Sequence, residues 1–99
     1  MTEHDAPADA AAAVATLRMR LEEGLESLDP HHRLRGRQVS FHLIAGRTLE
    51  IVYRDVTRIE ESEVLGVKRL LRTHCYCIVE PQTAETLTVR FVVPLGGQE

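Results

Sequence analysis

The chain has no tryptophan, and only two Phe and two Tyr among its 99 residues. That argues against a nucleic-acid surface built from stacked aromatic rings, the device by which many proteins hold single strands. Cysteine is as scarce: Cys75 and Cys77 are the only two. In a strand such a pair stands on one face, with Cα atoms roughly 6.5 Å apart. That is the edge of disulfide geometry and closes a loop too short to stabilise anything. Free thiols in a reduced, cytoplasmic protein are therefore expected. A secretory signal is not expected, because Glu3, Asp5 and Asp9 stand where its basic start would be. No apolar run approaches the length of a bilayer span, so no membrane partner is expected. Neither a Walker phosphate loop nor a Rossmann glycine fingerprint occurs, and no cofactor is expected.

What remains is an ordinary globular composition, 43% hydrophobic and 27% charged. The length fits one domain, placed at residues 8–99, with residues 1–7 expected to be disordered. A chain this size buries about 60–65% of its unfolded surface, so its core is thin. The net charge of −3 hides an asymmetry. Residues 1–30 carry two Arg against seven acids, whereas residues 31–75 carry nine basic residues against five acidic ones. The basic body could meet an anionic partner or the chain's own acidic helix.

That helix is predicted over residues 8–28. Val14, Leu17, Leu21, Leu25 and Leu28 fall within an arc of about 80°, and Asp29-Pro30 ends it. A polar, basic connector follows over His31–Arg37. Alternation then begins. Val39, Phe41 and Leu43 point one way; Ser40, His42 and Ile44 point the other. A turn at Ala45-Gly46-Arg47 pairs Leu43 with Leu49, Phe41 with Ile51 and Val39 with Tyr53, which puts one face of the hairpin in the core. A second hairpin, looped over Pro81–Glu85, pairs Val79 with Leu87, Cys77 with Val89 and Cys75 with Phe91. Its other face pairs Ile78 with Thr88, Tyr76 with Arg90 and His74 with Val92. Residues 55–72 read as either strand or helix, with a helix over 61–72 favoured by their Glu, Leu, Lys and Arg content. The predicted class is α+β: an N-terminal amphipathic helix packed on an antiparallel sheet of about four strands, in the order α-ββ-α-ββ.

Candidate chemistry is sparse. His74-Cys75-Tyr76-Cys77 offers two thiols on one face and a histidine on the other, with no second cysteine pair, so core cysteines are expected rather than a zinc site. His42 and Glu50 form a cross-strand pair of the kind that can orient a base, expected here as a plain polar pair. Glu60 and Glu63 would fall on the apolar face of a long helix; a later helix start, leaving both solvated, is the simpler expectation. No nucleophile, base and charge stabiliser converge, so no enzyme is expected and no catalytic, metal or cofactor residue is assigned.

The segment Leu34–Arg47, with its apolar alternation and its glycines at 36 and 46, resembles the opening hairpin of Sm-like small β-barrels. The resemblance implies an alternative fold, a helix followed by an Sm-like or SH3-like barrel, and through it ring assembly and RNA binding. The later strands depart from that family: no Asp-x-x-x-Asn follows in the second and no Arg-Gly pair ends the fourth.

The function expected is that of a small binding or regulatory module. It would act by contact with an unidentified protein partner and by self-association, as a dimer, through Ile44, Val52, Tyr76, Ile78 and Val92 on the face opposite the core. The alternative is RNA or DNA binding through Arg33, Arg35, Arg37, Lys68, Arg69 and Arg72.

Overall fold

Leucines spaced four apart put one face of a helix into the core, and Leu17, Leu21 and Leu25 are all buried along α1, Thr2–Glu26. A computed structural model describes residues 2–28 and 31–95. Helix α1 begins six residues before the apolar stripe implies. The alanine-rich stretch that opens it is the best helix-forming sequence available. The stripe marks only where the helix is packed, not where it starts. The predicted stop at Asp29-Pro30 lies outside the described residues.

After α1 come β1 (Val39–Ile44), β2 (Thr48–Val56), α2 (Glu61–Leu71), β3 (Tyr76–Pro81) and β4 (Leu87–Pro94). The strands form one antiparallel sheet in the order β1-β2-β4-β3. The class is the α+β one predicted, and the sheet stays open, so the barrel alternative falls away. Leu17, Leu21 and Leu25 of α1 join Val67 and Leu71 of α2 in one core with Leu49, Ile51, Tyr53, Val89, Phe91 and Val93 of the sheet. Both helices therefore lie on the same face. The order αββ-αββ, combined with a sheet in which β2 meets β4, makes the fold two similar αββ units joined back to back along the central strands.

The first hairpin has the predicted register residue for residue, from Val39 opposite Tyr53 to Ile44 opposite Thr48. Ala45 and Gly46 both take positive φ, 55° and 68°, and the turn closes with the Arg47 N–H donating to the Ile44 carbonyl at 3.1 Å. The second hairpin is offset by two residues from the prediction: Val79 faces Val89, Cys77 faces Phe91 and Tyr76 faces Val92. Pro81, expected in the loop, pairs with Leu87 at the end of β3. The Gln82 N–H donates to the Thr86 carbonyl, so Pro81–Leu87 is the alternate pair, whose N–H would point to the open side of an edge strand. A proline is harmless there. An offset of two keeps every side chain on its predicted face.

Helix α2 settles the ambiguous segment. Its start is later than the full apolar arc implies, as expected, but only Glu60 is solvated. Glu63 is buried. Its Oε1 accepts the Glu60 N–H at 2.8 Å, one half of a capping box, while its Oε2 accepts the Arg33 N–H at 2.8 Å and pairs with the Arg33 guanidinium at 3.2 Å. His32, also buried, is within 3.1 Å of the Glu63 carbonyl through Nε2 and receives the Leu34 N–H at Nδ1, 3.2 Å. With Nδ1 accepting, Nε2 is the nitrogen that donates to that carbonyl. These bonds fasten the connector to the head of α2 and drive Leu34 to zero exposure. At the other end Arg20 of α1 donates to the Leu71 carbonyl at 2.8 Å, a cation on the negative end of α2. The two helices touch where a side chain on Gly24 would overlap Leu70, with Cδ1 at 2.9 Å and Cγ at 3.0 Å.

Two outcomes follow for stability. Gly24→Ala should lower it by about 1–2 kcal/mol, because overpacking outweighs alanine's better helix propensity. In urea unfolding, Gly24→Ala combined with Leu70→Ala should lose less than the two single changes together. Burial pushes the Glu63 carboxyl up, but the Arg33 and Glu60 N–H groups and the Arg33 guanidinium outweigh it and hold the pKa below the ordinary 4.5. A carboxyl lowered on folding stabilises above its unfolded pKa, and that contribution drains away as pH falls through the folded value. Glu63→Gln should therefore weaken the protein at neutral pH, by about 1–3 kcal/mol, and flatten the loss of stability below about pH 4.5.

Candidate functional site

With both helices on one face, the opposite face of the sheet has no cover within the described chain. Register places its side chains in two rows: Ser40, Val52, Arg90 and Ile78, then His42, Glu50, Val92 and Tyr76. The predicted interface residues thus do share one face, but unequally. Ile44, Tyr76 and Ile78 are 47%, 55% and 41% exposed, Val92 is half-buried and Val52 only 3% exposed. Val52 sits mid-row beside Arg90, whose long stem occupies the same stretch of surface. The exposed apolar residues concentrate on the two edge strands, where Leu43 and Val79 on the helix-bearing side are exposed as well. The centre of the face is ionic. Arg90 reaches Glu80 at 3.1 Å and lies 3.8 Å from Glu50, and its Nε is buried without a hydrogen-bond partner among the described residues.

The other candidates do not come together. His42 hydrogen-bonds Ser40 at 3.0 Å, while Glu50 turns toward Arg90. The predicted cross-strand register is present without a base–carboxylate contact. Cys75 is buried and Cys77 half-buried, and burial pushes both thiols up against a weaker opposing pull from Lys68. A raised thiol is a poor nucleophile and a poor metal ligand at neutral pH. Among the described residues no three His, Cys, Asp or Glu side chains group as metal ligands, and no helix is long and apolar enough to cross a membrane.

The basic set divides. Arg33 is spent on Glu63, and Arg37 donates to the Asp55 carbonyl at 2.9 Å. Arg69 and Arg72 line a groove between the helices together with Arg20, at the far end of α2. The ends of that 11-residue helix are about 16 Å apart.

One group on the core face has unmatched chemistry. Tyr53 is 1% exposed, stacks edge-to-face on Phe91 at 6.5 Å, and its hydroxyl has no hydrogen-bond partner among the described residues. It lines a cavity of about 240 Å³ between α1 and the connector, with Glu22, Glu26 and Arg35 on the same lining. The sequence carries a signal for it: a tyrosine at the core end of the run Leu49-Ile51-Tyr53 has a hydroxyl that needs a partner which neighbouring aliphatic residues do not supply. No family model, curated protein or solved structure matches the chain.

Burial and, second, the Glu22 carboxylate raise the Tyr53 pKa above the ordinary 10. The folded protein then holds this proton where the unfolded chain releases it, so stability is intact below pH 10 and falls as pH rises beyond it. Urea denaturation between about pH 8 and about pH 11 should show that fall in the unmodified protein and a smaller one in Tyr53→Phe.

Proposed function

We propose that the chain is a small non-enzymatic binding module that works by protein–protein contact, self-association into a dimer first among them. The observation that carries this reading is the one-sided cover: both helices lie on one face, and Ile44, Tyr76 and Ile78 stand exposed on the other. A thin core gains from covering such a face. Each large apolar side chain fully buried there contributes about 1.5–3 kcal/mol gross, before the costs of association. The scatter of His42, Glu50, Cys75 and Cys77 supports a non-catalytic role. Nucleic-acid binding ranks second, because Arg33 and Arg37 are engaged within the chain.

Sedimentation at tens of micromolar tests this. The expected species has twice the 11.1 kDa mass of one chain. Tyr76→Asp combined with Ile78→Asp should return it to a monomer with an unchanged circular dichroism spectrum, since both side chains are exposed. A monomeric unmodified protein overturns the reading.

A further inference from the structure

The cavity beside Tyr53 combines three features that protein contact does not use. Leu21 and Leu25 of α1, with Leu34 of the connector and Val39 of β1, give it apolar walls. Glu22 and Glu26, one helical turn apart, bring two carboxylates from the α1 side, and Arg35 brings a guanidinium from the connector. Among the described residues, none of these three charged side chains is taken up by an ion pair or a side-chain hydrogen bond. The fourth charged group, Arg37, is held by the Asp55 and Arg33 carbonyls at 2.9 and 3.4 Å, so it frames the cavity rather than serving it. The third feature is Tyr53, a residue of the cavity lining whose buried hydroxyl has no hydrogen-bond partner among the described residues. A buried hydroxyl without a partner is a standing cost that a ligand oxygen or nitrogen removes.

We propose that this cavity binds a free aliphatic α-amino acid. Its ammonium meets the Glu22 and Glu26 carboxylates. Its carboxylate meets the Arg35 guanidinium and receives the Tyr53 O–H. Its side chain lies on Leu21, Leu25 and Leu34. Opposite charges on two sides of an apolar cavity call for a ligand that is itself a dipole, and a zwitterion satisfies both at once. A plain amine or a plain carboxylate leaves one side unmatched. The volume suits a metabolite of this size and is below that of a typical drug-sized pocket. The site lies on the helix-bearing side of the sheet, away from the uncovered face, so its occupancy and the oligomeric state can be read separately.

Amide chemical shifts of the whole chain, followed during titration with glycine, alanine, valine, leucine and methionine to about 10 mM, test this. At least one of the larger aliphatic acids should give saturable shifts at Leu21, Leu25, Leu34 and Tyr53. Isopentylamine and 4-methylpentanoate, which are leucine without its carboxylate and without its ammonium, should each bind at least about tenfold more weakly, some 1.4 kcal/mol. Glu22→Gln with Glu26→Gln, and separately Arg35→Gln, should weaken binding by about as much. Tyr53→Phe should weaken it several-fold, while the melting temperature of the free variant does not fall. No saturable shift from any of the five acids overturns the proposal. So does an analogue that binds as tightly as leucine, or full affinity in the charge variants.

Discussion

A single carboxylate holds the two halves of this molecule in place. Glu63 accepts the N–H that begins its own helix and the N–H of Arg33, thirty residues earlier in the chain. A basic connector that would otherwise run over the surface is thereby fixed against the head of α2, and His32 adds a second bond at the same point. Leu34 enters the core as a result, and Arg35 and Arg37 are carried to the rim of the cavity beside Tyr53. Buried carboxylates are expensive unless matched. This one is matched by three donors, which is why it stays ionised and why the neighbouring backbone has little freedom to move.

The second constraint is geometrical. Two helices cover one face of a four-stranded sheet, so the remaining face is set by its side chains alone. It is not uniformly apolar. Arg90 and Glu50 occupy the middle, Glu80 reaches in from the β3 edge, and the large apolar residues sit on the edge strands. A partner that met only the centre would have to displace or accommodate an ion-pair cluster, at a desolvation cost that such clusters rarely repay. A partner that met one edge would cover either Ile44 on β1 or Tyr76 and Ile78 on β3 with less to displace. Edge strands also present unpaired backbone groups, so contact there can add hydrogen bonds to burial.

Much of this architecture was legible because alternation and helical spacing are strong signals. Phe41 opposite Ile51, and the start of α2 at Glu61, follow from side-chain period and propensity. The second hairpin shows the limit. An offset of two residues leaves the pattern of faces unchanged, so periodicity could not distinguish Cys77 opposite Val89 from Cys77 opposite Phe91. The placement of Pro81 decided it, and that depends on β3 being an edge, a fact about the whole sheet. Local sequence marks Glu63 as solvated because its partner, Arg33, is distant in the chain. The burial of Val52 is invisible in the same way, because alternation assigns a face but says nothing of a neighbour's long side chain. The Tyr53 cavity needs α1, the connector and β2 together, and no local pattern announces it.

The back-to-back joining of two αββ units bears on how the chain acquires its structure. Each hairpin closes over a loop of a few residues, a contact made quickly and at small entropic cost. The β2–β4 ladder is different: it brings Thr48 against Pro94 and Tyr53 against Val89 across the whole of α2 and β3. Pairings of such separation in sequence are slow to form. The central seam, not either hairpin, is therefore the step at which the two halves become one cooperative unit. Until it closes, β2 and β4 each present an unpaired apolar edge, and in this sheet those are the strands that the finished molecule hides most completely.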